Sequence, residues 1–266
     1  PTIPVIAVTA NDEIFKDLLK KSKKKNTRTY ALKLLTRETS RAGQIEDAIV
    51  LAMQKGILSE GETIVIVGST LAGEADSLFV HIIDKEKLDF TIYDLMKMTD
   101  IREEVFEAVV DIALGIGKEG REGRLIGTAF LIGDSEKVLE NSTQLILNPF
   151  EGHAIEDRTI TSPEISETVK ELAQLEGVFV ISRDGTIEAA GRYLNTDTSK
   201  VDIPRGLGTR HAAVAAMTIA SNAIGITVSQ SGGVVRIFKN GEAIMRIEPQ
   251  RKISLKTDSL KQKNRR

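Results

Sequence analysis

The sequence contains no cysteine, and this absence excludes several kinds of chemistry at once. Disulfides, thiol nucleophiles and zinc sites built on sulfur ligands all require a cysteine. Histidine is also scarce, because His81, His153 and His211 are the only three and lie far apart in the sequence. Any metal site would therefore use a hard ion such as Mg²⁺ or Mn²⁺ with oxygen ligands.

Long apolar runs are absent as well. No segment of the 266 residues approaches the length of a membrane span, and the first residues lack the pattern of a secretory signal. We therefore expect a cytoplasmic protein with no membrane partner.

Positive charge is unevenly distributed and is densest at the carboxyl end. The net charge is −2, yet residues 251–266 hold seven Lys or Arg and one acid, so the rest of the chain is distinctly acidic. An acidic body disfavours general binding of nucleic acid, and we expect no nucleic-acid partner. The basic tail itself is typical of a solvated chain end.

The amino-terminal part alternates between apolar strands and amphipathic helices. Strands are predicted at residues 4–8 and 29–36, with helical spacing at 12–22 and 44–57. Residues 61–68 form a third apolar segment, which has the pattern of a buried parallel strand. Alternation of this kind predicts βαβ units and a parallel sheet.

From residue 101 onward the pattern is mixed α/β. A helix is predicted there, with four apolar residues on one face: Val105, Val109, Ile112 and Ile116. Antiparallel strands follow, joined by turns at residues 183–186, 232–233 and 240–241, and a helix begins at Thr209. The fold class is therefore α/β, with an amino-terminal parallel-sheet βαβ domain and then a mixed α/β domain.

Two glycine-containing segments are candidates for binding phosphate. Gly115, Gly117 and Gly120 match the GxGxxG pattern, but they lie at the end of a helix, where we expect only a glycine-rich helix exit. The segment 68–74 (GSTLAGE) follows the third strand, where parallel sheets bind ligands. It is either an anion site or an ordinary strand exit.

The strongest candidate is GLGTRHAAVAA, residues 206–216. The start of a helix presents free N–H groups and a partial positive charge, which favour an anion. Thr209 can cap the helix or bind an oxygen, Arg210 can donate two hydrogen bonds to a phosphate, and His211 can donate another. Each residue also has an ordinary structural role, as a cap, a surface arginine and a packed histidine.

Three segments together resemble the diadenylate cyclase domain, also called the DisA-N type domain: residues 175–194, 208–216 and 227–241. That family has an Asp-Gly-Ala motif before a hairpin, Gly-Thr-Arg-His-Arg at a helix start and Val-Ser-Glu at a strand end. The same order occurs here between residues 101 and 249. The chain is most similar to the archaeal form, whose first domain resembles the carboxyl-terminal domain of pyruvate kinase.

This resemblance implies three regions and a reaction. Residues 1–95 would be the pyruvate-kinase-like domain, 96–250 the cyclase domain and 251–266 a basic tail. The cyclase domain would join two ATP molecules into cyclic di-AMP and release two pyrophosphates. Each domain would hold one ATP, and two domains would meet face to face, which implies a homo-oligomer.

The resemblance also assigns residues to roles. Glu176, rather than Asp184 in the hairpin turn, takes the place of the family's aspartate, because the family's aspartate precedes the first strand of the hairpin. Glu176 would hold Mn²⁺ or Mg²⁺ and help to deprotonate the 3′-hydroxyl. The residues implied for phosphate binding are Arg210, His211, Thr209 and Ser229. Those implied for contact with adenine are Tyr193 and Leu194. Gly177 and Gly208 belong to the same motifs.

The chain departs from the family motifs at three positions. Glu176 replaces an aspartate, Ala212 replaces the second arginine of Arg-His-Arg, and Gln230 replaces the glutamate of Val-Ser-Glu. Two functions remain open on this ground: a cyclase, or a sensor that binds ATP or cyclic di-AMP without turnover. A protein whose sheet domain mainly assembles oligomers is a third.

Overall fold

The structure is a computed structural model that describes residues 3–22, 28–34, 41–68, 75, 77–84, 86, 88, 91–121, 124–201, 203–204 and 206–248. The helices are α1 (Asp12–Ser22), α2 (Arg41–Gln54), α3 (Ile92–Lys97), α4 (Glu103–Glu119), α5 (Ser135–Glu140), α6 (Pro163–Leu172) and α7 (Thr209–Ala220). The strands are β1 (Val5–Thr9), β2 (Thr29–Lys33), β3 (Thr63–Gly68), β4 (Ser77–Ile82), β5 (Thr128–Ile132), β6 (Ser142–Gln144), β7 (Val178–Ile181), β8 (Ile187–Leu194), β9 (Ile224–Val228), β10 (Val235–Lys239) and β11 (Glu242–Ile247).

The first βαβ unit forms as predicted. Strands β1 and β2 pair in parallel, with Val5 opposite Thr29, and α1 connects them. Acidic residues lie in the first turn of α1 and lysines in its last turn, an arrangement that complements the helix dipole. None of the described helices is long and apolar enough to cross a membrane.

The prediction of a buried parallel strand at residues 61–68 was wrong in its pairing and its burial. Strand β3 pairs antiparallel with β4, in a separate two-stranded sheet that places Thr63 opposite Ile82. Val65 and Val67 are 60% and 66% exposed, because only alternate residues of β3 turn toward the protein. Residues 69–74 of the candidate anion segment lie outside the residues that the structure describes.

The second half of the chain forms a seven-stranded mixed sheet. Its strand order is β11-β10-β9-β5-β7-β8-β6, and β5 and β7 are parallel while the other pairs are antiparallel. Helix α4 covers one face, and α7 covers the other, where Val214 and Met217 pack against the sheet. The predicted mixed α/β architecture is therefore confirmed.

Helix α4 joins the two halves through one continuous core. Its four predicted apolar residues, Val105, Val109, Ile112 and Ile116, are all buried. The same core cluster includes Leu32 and Val50 from the amino-terminal part. Lys33 also lies 2.7 Å from Glu107 of α4, and the hydrogen bonds and charges of Glu107 and Asp12 hold the pKa of Lys33 above its usual value despite partial burial.

The predicted turns are present. Strands β7 and β8 form a hairpin that turns at residues 183–186, and Gly185 adopts a φ of +95° there. Strands β9, β10 and β11 follow as an antiparallel meander, with Asn240 and Gly241 both at positive φ in the second turn. Because the strands alternate in direction, the starts of β5 and β7 and the end of β9 meet at one edge of the sheet.

Candidate functional site

Helix α7 begins at this edge of the sheet. Gly208 is its N-cap residue and offers no side chain, so Thr209 is the first helical residue rather than the cap. Gly208 and Thr209 are both exposed. The positive end of the helix dipole is therefore open to solvent beside the ends of three strands.

Arg210 connects α7 to the sheet. Its Nη1 donates a hydrogen bond of 2.6 Å to the carbonyl oxygen of Gly127, directly before β5. Its Nη2 lies 3.4 Å from Oε2 of Glu176, two residues before β7. Gln230 is adjacent, because a Cβ added at Gly127 would lie 3.1 Å from the Gln230 Cβ. The structure therefore brings Arg210, Glu176 and Gln230 together, although they are distant in sequence.

Glu176 is the more accessible member of this group. Its side chain is 85% exposed, whereas that of Arg210 is 28% exposed. An exposed ion pair of this kind contributes about 1 kcal/mol or less to folding, so stability does not account for the arrangement. The carboxylate is free to bind a ligand while the arginine is held by Gly127.

Gly177 fixes the backbone next to Glu176. Its φ is +97°, a conformation that favours glycine. A Cβ at this position would lie 2.7 Å from the backbone nitrogen and oxygen of Arg192 on β8. Gly177 therefore allows β7 and β8 to approach closely where Glu176 leaves the sheet.

The alternative carboxylate, Asp184, lies elsewhere. It is exposed in the turn after β7, whereas Glu176 lies before that strand. The four residues of β7 lie between them, and at about 3.3 Å per residue this strand places their backbones at its opposite ends, roughly 10 Å or more apart. Only Glu176 of these two residues is near Arg210.

Ser229 lies at the end of β9 beside α7. Its side chain is 8% exposed, and its Oγ is 3.0 Å from Oγ of Ser231. The backbone of Ser229 is held on both sides, because its N–H donates to Val234 and its carbonyl accepts from Gly233. The hydroxyl is thus positioned by a tight loop rather than by a flexible end.

His211 points into the protein rather than toward solvent. It is 7% exposed, and its ring makes an edge contact with Phe238 at 6.3 Å between centroids. Burial, then the nearby charges of Arg236 and Arg210, lowers its pKa to about 4. His211 is therefore neutral near pH 7, and its Nε2 is buried without a hydrogen-bond partner among the described residues.

Tyr193 and Leu194 lie on neighbouring positions of β8 but differ in environment. Tyr193 is 58% exposed and opposite Thr143 of β6. Leu194 is 5% exposed and belongs to the core cluster beneath α7, together with Val178 and Val180. Of the two residues expected at the adenine, only the tyrosine offers a substantial free surface.

The donor groups fit a metal that is shared with phosphate. No group of three or more His, Asp or Glu side chains that could enclose an ion occurs within the described ranges. Glu176 presents an open carboxylate at the edge where Arg210 and the start of α7 lie. Mg²⁺ and similar ions commonly take one or two carboxylates and complete their shell with phosphate oxygens and water.

One contact that supports the site was not predicted from the sequence. A Cβ on Gly117 would lie 2.2 Å from the carbonyl oxygen of Gly233, so α4 ends against the loop after Ser229. The GxGxxG segment is the end of α4, with Gly120 as its C-cap, so its interpretation as a helix exit is confirmed. The GxGxxG pattern is typical of phosphate binding, but the role of Gly117 in the structure is to let α4 pack closely against Gly233.

Comparison with known proteins identifies relatives across most of the chain. Residues 116–243 match a family described as "DisA bacterial checkpoint controller nucleotide-binding" (DAC). A protein named diadenylate cyclase from Methanocaldococcus jannaschii is 36% identical over 254 residues, which cover 94% of this chain and 80% of the relative. Another of the same name, from Haloferax volcanii, is 39% identical over 199 residues, 75% of this chain and 72% of the relative.

Solved structures with weaker similarity also match. A double mutant of DacA from Staphylococcus aureus is 22% identical, with a TM-score of 0.40, over 55% of this chain and 87% of that chain. A protein described as a hypothetical membrane spanning protein from Bacillus cereus is 16% identical, with a TM-score of 0.41, over 55% of this chain and 64% of that chain.

Proposed function

Because the chain belongs to the diadenylate cyclase family, we propose that it condenses two ATP molecules into cyclic di-AMP and releases two pyrophosphates. The observation that carries this proposal is the meeting of Glu176, Arg210 and the open start of α7 at one sheet edge. A carboxylate beside a guanidinium and free helix N–H groups is suited to a triphosphate and the hydroxyl that attacks it.

The chain's own groups have separate tasks in this reaction. Arg210, held by Gly127, and the first N–H groups of α7 bind phosphate oxygens. The hydroxyls of Thr209 and Ser229 add further contacts, and Tyr193 packs against the adenine. Such positioning and charge stabilisation dominate the catalysis of phosphoryl and nucleotidyl transfer.

The chemical step joins the 3′-oxygen of one ATP to the α-phosphorus of the other. The bond between the α-phosphorus and the bridging oxygen breaks, and pyrophosphate leaves with that oxygen. The proton of the 3′-hydroxyl passes to the Glu176 carboxylate, which is accessible and next to the phosphate-binding arginine. Repeating the step with the roles of the two nucleotides exchanged closes the ring.

Mn²⁺ or Mg²⁺ would be bound by Glu176 together with the triphosphate. The ion would neutralise phosphate charge and lower the pKa of the attacking hydroxyl. Glutamate reaches one methylene further than the family's aspartate, and the exposed side chain of Glu176 has room for that difference.

Two chains are needed for one product, since each cyclase domain holds one ATP. We therefore propose a homo-oligomer in which residues 96–250 of two chains face each other. Residues 1–95 would form the pyruvate-kinase-like domain, which shares a core with the cyclase domain through α4, and residues 251–266 a basic tail. We propose further that ATP is the substrate and that the reaction takes place in the cytoplasm, without a membrane or nucleic-acid partner.

The test is a product assay with Glu176 as the decisive residue. Purified protein with ATP and Mn²⁺ or Mg²⁺ should yield cyclic di-AMP by mass spectrometry. Glu176→Ala should lower the rate by about 10²-fold or more, because it removes the base, while the fold is retained. Asp184→Ala is the matched control and should keep full activity. Pyrophosphate release without cyclic di-AMP contradicts the function, and loss only in Asp184→Ala would transfer the role to that residue.

A sensor that binds ATP or cyclic di-AMP without turnover is the second candidate. Ala212 and Gln230 favour it, because the family motifs have an arginine and a glutamate at these positions. Tight nucleotide binding with no product over a wide range of protein concentration would establish the sensor and refute the cyclase.

A further inference from the structure

Three buried polar atoms beneath the start of α7 have no hydrogen-bond partner in the part of the chain that the structure describes. They belong to different elements: Nε2 of His211 on α7, Oγ1 of Thr227 on β9 and Nη1 of Arg236 on β10. His211 and Thr227 are more than nine-tenths buried. Buried polar groups are rarely left without partners, so a cluster of three next to a proposed anion site indicates a ligand.

The strand register places Arg236 under the helix. Thr227 and Arg236 are directly opposite each other in the antiparallel pair β9 and β10. Their neighbours Ile226 and Ile237 belong to the core on the α4 side, so Thr227 and Arg236 face α7. Phe238, also on β10, contacts the His211 ring. Arg236 is therefore near the first turn of α7, on the β10 side.

Helix geometry shows that Arg236 lies on the same side of α7 as Ala212. Residues two apart on a helix point about 200° apart, at 3.6 residues per turn. Arg210 points toward β5 and β7, where it contacts Gly127 and Glu176, so Ala212 lies on the opposite side of α7. The family motif has its second arginine at Ala212. In this chain that side of the helix has Arg236 below it.

The charges around Arg236 also favour an anion. Its partner across β10 and β11 is Arg246, a like charge directly opposite. Burial and then Arg246 lower the pKa of Arg236, whereas the charge of Glu248 raises it. Arg246 has its own ion pair with Glu248. Burial, and then the charges of Arg236 and Arg210, lower the pKa of His211.

We propose that Arg236 is a phosphate-binding residue of the nucleotide site and supplies from β10 the guanidinium that position 212 lacks. His211 and Thr227 complete this second half of the triphosphate pocket, on the opposite side of α7 from Glu176. The inference rests on the proposed function only in taking a nucleoside triphosphate as the ligand. It accounts for the three unpartnered atoms and for the tolerance of alanine at position 212.

The test measures binding of ATP and of adenosine to wild type and to Arg236→Met and Arg236→Gln, by calorimetry with Mg²⁺ present. Loss of a charge-assisted hydrogen bond should weaken ATP binding about 10- to 100-fold. Adenosine has no phosphate, so its affinity should be unchanged. Arg246→Gln is the matched control, since it removes one positive charge nearby from an exposed, paired arginine, and should change ATP affinity less than about threefold.

Two further measurements separate binding from a structural role. Arg236→Met keeps the apolar stem and removes a half-buried cation whose Nη1 has no hydrogen-bond partner among the described residues, so its stability to urea should equal or exceed that of wild type. Adding Ala212→Arg to Arg236→Met should restore part of the ATP affinity, because it returns a guanidinium to the same side of α7. A purely structural arginine predicts lower stability, an equal loss for adenosine and no rescue, and any of these results overturns the proposal.

The outcomes also distinguish this proposal from the function on which it rests. Wild type that binds ATP but makes no cyclic di-AMP would refute the cyclase and leave the Arg236 test valid. Wild type that makes cyclic di-AMP, with ATP affinity unchanged in Arg236→Met and Arg236→Gln, would refute Arg236 and leave the cyclase standing. Equal weakening by Arg246→Gln would indicate only a general positive field, and also refute the proposed contact.

Discussion

His211 makes the stability of the protein depend on pH, because it is buried and neutral in the folded chain. Burial, Arg236 and Arg210 lower its pKa from 6.5 to about 4. Between these two values the unfolded chain binds a proton at His211 that the folded chain does not bind. The folded state therefore has its full stability above pH 6.5 and loses stability through His211 as the pH falls toward 4. At pH 5 this residue should lower the free energy of unfolding by about 2 kcal/mol relative to pH 8.

Urea unfolding at the two pH values tests this prediction. His211→Gln should remove most of the difference between pH 5 and pH 8 that this residue causes, whatever its effect on absolute stability. His153→Gln is the control, because His153 is exposed, and it should leave the difference unchanged. An identical pH difference in His211→Gln and wild type would show that other groups cause it.

Gly177 should be the least replaceable residue next to Glu176. Gly177→Ala combines a φ of +97° with a Cβ only 2.7 Å from the backbone of Arg192, and should cost about 2 to 5 kcal/mol of stability. Gly206→Ala is a matched control, since its φ is +95° but no atom lies within 4 Å, and it should cost about 1 to 2 kcal/mol. Thermal and urea unfolding measure both, and equal losses would exclude the predicted backbone clash.

The candidate site was predicted in part from single residues. The sequence motifs indicated Glu176 and Arg210, and the structure brings these side chains within 3.4 Å of each other. No motif indicated Arg236, because it is one alternating residue of an ordinary strand and becomes notable only through its register with Thr227. The contact of His211 with Phe238 was not predictable either, because the side of a helix that faces a sheet depends on tertiary packing.

At the scale of elements, periodicity predicted which segments form helices and strands better than it predicted which elements pair with each other. Helix α4 was predicted with its four buried positions, since period-3.6 patterns report burial directly. Strand β3 was predicted as a strand but given the wrong partner, because a short apolar run does not specify parallel or antiparallel pairing. Its actual partner, β4, is separated from β3 by eight residues and was not among the predicted strands.

The contact between α4 and the loop after Ser229 should control both stability and ATP binding. Gly117→Ala would force the Gly233 carbonyl away, and Gly233 also donates to the backbone of Ser229. We expect a loss of about 1 to 3 kcal/mol and weaker ATP binding.

Gly115→Ala, two residues earlier on the same helix, is the matched control for this contact. Its Cβ would meet only the flexible end of Lys170, so the helix should gain up to about 1 kcal/mol from alanine's higher propensity. Calorimetric stability and ATP affinity measure both variants. Unchanged ATP affinity in Gly117→Ala, with the expected loss of stability, would show that the loop does not position Ser229 for the nucleotide.

At the scale of the whole molecule, the exposed position of Glu176 becomes meaningful only with a second chain. A carboxylate that is 85% exposed at an open sheet edge cannot exclude water from a reacting phosphate. A second cyclase domain placed over this edge would supply the other ATP and enclose the site. Catalysis should therefore depend on association, whereas binding of one ATP per chain should not.

Dilution of the wild-type protein tests this dependence. Once the concentration falls below the dissociation constant of the assembly, cyclic di-AMP formed per chain should fall about tenfold for each tenfold dilution, by mass action. Sedimentation at the same concentrations must show single chains in that range, and ATP affinity should be constant throughout. Adding excess Glu176→Ala chains should lower wild-type activity through mixed assemblies, whereas Asp184→Ala chains should not. Full activity per chain in a population of single chains would refute the face-to-face arrangement, because one chain offers one nucleotide site and the product needs two.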